Sequence, residues 1–76
     1  MANTYREIVQ ALSDGRVLSE MAKSQVMLFA TWAEINDVDQ TTADLATYGR
    51  WLEGWGYPVR AAAMHVDTIR RLRDGA

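Results

Sequence analysis

Thr41–Arg60, TTADLATYGRWLEGWGYPVR, is the stretch whose reading decides the fold. It holds two of the three tryptophans, two of the three tyrosines, three of the five glycines and the only proline. Thr41 or Thr42 can cap a helix, with Asp44 in its first turn against the positive end of the helix dipole. Leu45, Tyr48, Trp51, Leu52 and Trp55 then share one arc at 100° per residue, while Arg50 and Glu53 face away. Gly49 lies at the edge of that arc. A glycine inside a helix costs about 1 kcal/mol against alanine, so close approach by a neighbour is the expected compensation. Gly54 and Gly56 stop the helix, and Pro58 fits only the first turn of a new one. So short a connection predicts that the last two helices form an antiparallel hairpin.

Upstream, Thr4-Tyr5-Arg6-Glu7 matches a capping box. Tyr5, Ile8, Val9 and Leu12 line one side of the helix it opens, and Gly15 suits a left-handed stop. A second helix is expected from about Val17 to Asn36. Val17, Met21, Leu28, Trp32 and Ile35 form one edge of its apolar arc, and Leu18, Ala22, Val26, Phe29 and Ala33 form the other. That arc is wider than a one-sided surface helix needs, which predicts neighbours on two sides. Leu18, Met21, Gln25, Leu28, Trp32 and Ile35 also keep heptad spacing, with Gln25 as a polar register position. Downstream, a last helix runs from Pro58 to about Arg73, with Val59, Ala62, Val66, Ile69 and Leu72 inward. The expected fold class is therefore all-α. One domain spans residues 1–76, a small bundle of three to four helices at approximately 4–13, 17–36, 42–55 and 58–73.

Bulk properties narrow the function. Seventy-six residues with no cysteine leave no disulfide or thiolate metal site to supplement a small core. Exceptional packing or self-association remains, and a homodimer is expected, with Leu18, Gln25, Phe29 and Trp32 in its interface. A net charge of −2 is not the footprint of a phosphate-backbone binder. The longest strongly apolar run, Val26–Ala30, is far short of the ~20 residues that span a bilayer. No signal-peptide core follows Met1, so the expected location is cytoplasmic.

No residue set names a chemistry. Asp37 and Asp39 invite a calcium loop, but Thr42 and Tyr48 stand where glycine and glutamate are required. His65 is the only histidine, so a histidine metal site lacks partners, and packing or a pH-sensitive contact is its expected role. Gly54-Trp55-Gly56 follows no strand and precedes no Gly-Lys-Ser/Thr, which excludes a phosphate loop. No cofactor, metal or catalytic residue is assigned, and the chain is read as non-enzymatic. The favoured function is a small regulator or inhibitor that binds another protein through Tyr48, Trp51, Trp55 and Tyr57, aromatic residues of the kind that dominate interface hot spots. The alternative is a helix-turn-helix DNA-binding regulator using Arg60, Arg70, Arg71 and Arg73 of the last helix.

Overall fold

The computed structural model describes residues 4–75, and all regular structure among them is helical. Four helices follow one another: α1 (Tyr5–Ser13), α2 (Glu20–Ile35), α3 (Leu45–Gly54) and α4 (Val59–Asp74).

The first three helices start at side-chain caps, whereas α4 opens after Pro58 without one. At α1 the capping box forms as read: Thr4 Oγ1 accepts from Glu7 N at 3.2 Å, and Glu7 Oε1 accepts from Thr4 N at 2.8 Å. These bonds hold the Glu7 carboxyl below its ordinary range. Asp14 and Gly15 then both take positive φ, 45° and 72°, and end the helix in left-handed backbone.

α2 begins three residues later than the sequence predicts. Ser19 accepts from Ala22 N at 3.1 Å and so caps the helix at Glu20. Val17, expected on the apolar face, is left wholly exposed in the connection. The start of α3 is likewise displaced. Asp44, not Thr41 or Thr42, is its cap: one carboxylate oxygen accepts from Ala46 N at 3.2 Å and the other from the Thr47 hydroxyl at 2.8 Å. Thr41 is taken up one turn earlier, where both its N–H and its hydroxyl donate to Asp39 Oδ1 at 2.8 and 2.6 Å. Aspartate outcompetes threonine for the cap because it also brings charge to the dipole.

The core is a continuous cluster in which Ile8 and Leu12 of α1 meet Val26, Phe29, Trp32 and Ala33 of α2. Leu45, Tyr48 and Leu52 of α3 and Ala62 and Ile69 of α4 complete it. α2 packs on both α1 and α4, and α3 packs on α4. Where α3 meets α4, a Cβ at Gly49 would stand 3.2 Å from Val66 Cγ2, so the close neighbour expected there is the Val66 side chain. Val59, expected inward, is 69% exposed because it opens α4 at the mouth of the α3–α4 groove.

Two arginines tie the periphery together. Arg16 donates to Leu12 O at 2.7 Å and to Leu72 O at 3.0 Å, joining the C-terminal ends of α1 and α4. Arg73 donates to Ala43 O at 2.9 Å, joining α4 to the α2–α3 connection.

A candidate binding face between α2 and α3

An aromatic chain runs from the centre of the molecule to its surface. Phe29 meets Tyr48 edge-on at 5.1 Å, Tyr48 stacks on Trp51 at 6.0 Å, and Trp51 meets Trp55 edge-on at 6.0 Å. Trp32 joins at the inner end, 5.1 Å from Tyr48. Exposure rises along it: Phe29 and Tyr48 are fully buried, Trp51 is half-buried, and Trp55 is 72% exposed. Trp51 thus links the buried rings to the exposed Trp55.

The outer rings wall an open groove of about 340 Å³ lined by Leu28, Thr31 and Ile35 of α2, Trp51 of α3, and Trp55 and Tyr57 of the connection to α4; Trp55, expected inside the helix, is the residue that follows its last turn. None of these six residues carries a charge, in a chain that is 24% charged. Depletion of charge around large aromatic side chains marks the centre of protein interfaces. Ile35, at 73%, is as exposed as Trp55.

Of the residues expected to contact a partner, the structure brings Trp51, Trp55 and Tyr57 together and takes Tyr48 away. Tyr48 has no exposed surface, since Phe29, Trp32 and Trp51 surround its ring. Its hydroxyl is buried without a hydrogen-bond partner among the described residues. Burial, reinforced by the nearby Tyr57 phenol, pushes that hydroxyl above the usual tyrosine range.

The residues expected at a dimer seam fare similarly. Phe29 is 0%, Trp32 4% and Gln25 7% exposed, and Leu18 is half-buried. Phe29, Trp32 and Gln25 face the chain's own core, and so cannot form a seam through α2. Leu28, Thr31 and Ile35 were missed as surface residues because Leu28 and Ile35 sit beside Trp32 on the helical wheel. The usable signal was the excess width of the apolar arc, which required something on the far side of α2.

The four arginines of the nucleic-acid reading are not one patch. Arg73 is half-buried and bonded to Ala43 O, and Arg71 is paired with Asp67. Arg70 lies beside Arg50 and Glu53 along a second groove, of about 300 Å³, between α3 and α4. Arg60 is exposed near the start of α4.

His65 packs edge-on against Tyr57 at 5.3 Å, and its Nδ1 is buried without a partner among the described residues. Burial lowers its pKa from the ordinary value of 6.5. Among the described residues, no three histidine or acidic side chains are grouped as a metal would need, and no helix is long and apolar enough to cross a membrane. No protein-family model, curated protein or solved structure matches this chain.

Proposed function

We propose that this protein is a non-catalytic regulator or inhibitor that works by binding another protein across the α2–α3 groove. α3 and α4, taken as an antiparallel hairpin, form the rigid support of that face. Trp55 is the leading contact, Trp51 and Tyr57 flank it, and Leu28 and Ile35 form the opposite wall. The observation that carries this reading is the uncharged groove with a tryptophan left 72% exposed at its edge. A ring of that size costs a monomer solubility unless something covers it. Its edge-on contact with half-buried Trp51, itself stacked on the buried Tyr48, pre-positions it, which lowers the entropy lost on binding.

DNA binding is the less supported reading, because Arg71 and Arg73 are already engaged within the chain. Affinity for duplex DNA falling steeply with salt would favour it.

The test is capture from host lysate by tagged wild type and by Trp55→Ala, with captured proteins identified by mass spectrometry. Trp55 is mostly exposed, so the variant is expected to keep its circular dichroism and lose one discrete partner by at least tenfold. A partner retained equally by both proteins, or none captured by wild type, removes the support for this face.

A further inference from the structure

The outward side of α2 carries a regularity that the groove alone does not use. Met21, Ser24, Leu28, Thr31 and Ile35 recur at alternating steps of three and four, the spacing of a two-helix seam. The run extends over most of α2, and all five stay outside the core: Met21 is 65% and Ile35 73% exposed, Ser24 and Thr31 are exposed, and Leu28 is half-buried. Large apolar residues hold one class of seam position, and small hydroxyl residues hold the other. Thr31 Oγ1 already donates to Met27 O at 2.9 Å, so that hydroxyl is satisfied within its own helix and can be covered without loss.

We propose that a second copy of this chain covers this face, with the two α2 helices packed antiparallel about a two-fold axis. Antiparallel pairing sets two of the three large positions of one helix, Leu28 and either Met21 or Ile35, opposite the two small positions of the other, and leaves the third large residue at the end of the seam. Parallel pairing would instead stack large on large and hydroxyl on hydroxyl. An arrangement in which the same surface supplies both halves is what a two-fold dimer requires.

Charge and exposure agree with this occupant. The seam itself is uncharged, and the acids on its flank are engaged elsewhere: Glu34 accepts from Tyr5 N at 2.8 Å, and Glu20 pairs with Lys23 at 3.4 Å. No like-charge pair need therefore be pressed together. Met21 and Ile35 are 65% and 73% exposed near opposite ends of the seam, and Trp55 on its flank is 72% exposed, so large apolar side chains await cover along its whole length. A chain this short also commonly depends on such an association. The dimer rests on the same face as the proposed function, and the two occupants exclude each other, so the other partner would bind the dissociated chain; sedimentation reads the dimer and capture reads the partner, so either can fail alone.

Sedimentation velocity between about 1 and 200 μM tests it. Wild type is expected to sediment at twice 8.6 kDa in the upper part of that range. Ile35→Lys changes a residue that is 73% exposed, so it is expected to keep the wild-type circular dichroism and to stay monomeric throughout. Met21→Lys, at a seam residue 65% exposed, is the second variant, with the same expectation. Arg50→Glu, on the α3–α4 groove, is the control and is expected to dimerise as wild type. Because the chain has no cysteine, Met21→Cys reports orientation: an antiparallel pair holds the two thiols apart, whereas a parallel pair cross-links on oxidation. A monomeric wild type at 200 μM overturns the proposal, as does a dimer that survives both lysine variants; ready cross-linking of Met21→Cys overturns the antiparallel pairing. A monomeric wild type that still loses its partner through Trp55→Ala would refute the dimer and leave the proposed function standing.

Discussion

At the scale of single residues, the informative positions are polar atoms placed where no partner reaches them. His65 has a buried, unpartnered Nδ1, and burial lowers its pKa. Between the lowered folded value and the ordinary 6.5, the unfolded chain binds more protons than the folded one. Acid therefore favours unfolding. The contribution is fully present above pH 6.5, falls as pH drops through that value, and stops changing below the folded pKa. Melting temperatures measured from pH 8 to pH 5 are expected to decline over this window, and His65→Gln to flatten the decline. The hydrogen-bonded carboxylates of Glu7, Asp39 and Asp44 also have lowered pKa values, but their contributions are lost only in the more acidic range below 4.5 and 3.8. A melting temperature that rises between pH 7.5 and 5.5 would mean that the protonated ring finds an acceptor.

At the scale of elements, the contact of α3 with α4 turns on one missing methyl group. Gly49→Ala would gain about 1 kcal/mol of helix propensity. The new Cβ would lie 3.2 Å from Val66 Cγ2, tighter than ordinary contact, and the β-branched valine has one strongly preferred rotamer in a helix. The two effects oppose each other, so Gly49→Ala is expected to change unfolding free energy by less than about 0.5 kcal/mol. Gly49→Leu, which adds bulk with nowhere to go, should lose more than about 2 kcal/mol. Urea titration checks both, and a full gain of about 1 kcal/mol for Gly49→Ala would show that Val66 yields freely. The glycine was legible as an interface residue in the sequence because a mid-helix glycine needs a compensating contact; which side chain approaches it was not.

At the scale of the whole molecule, the arginines of α4 separate into stabilising and free groups. Arg73 fastens α4 to the backbone of Ala43, a carbonyl whose residue is 5% exposed. Removing it leaves that acceptor in place with its charged donor gone. Arg73→Ala is therefore expected to cost about 1–2 kcal/mol by urea unfolding, whereas Arg60→Ala, exposed and without a hydrogen bond or ion pair among the described residues, should stay within about 0.5 kcal/mol. Equal losses for the two would contradict this division. The sequence could not divide Arg60, Arg70, Arg71 and Arg73 in this way, because dipole matching and tertiary bonding draw on the same residue type.

Local order was decided by the chain itself. The Thr4–Glu7 capping box, the left-handed stop at Gly15, and the helical phase of Leu45, Tyr48 and Leu52 all follow from interactions within one or two turns, so they could be read without the fold. The start at Ser19 was missed because Val17 and Leu18 extend the apolar pattern upstream of it, and the start at Asp44 because several capping residues compete there and the winner depends on what else its neighbours bond. The division of apolar residues into core and surface belongs to tertiary structure alone. Tyr48 and Trp55 share one arc in the sequence pattern, yet one is fully buried and the other 72% exposed, because α3 ends at Gly54 and Phe29 and Trp32 reach only Tyr48. Trp32 and Ile35 on α2 divide in the same way, 4% against 73% exposed. Periodicity states which residues share a face, whereas burial depends on how far the neighbouring helix extends across it. That distance is set by the packing of four helices together and is written in no single stretch of the chain.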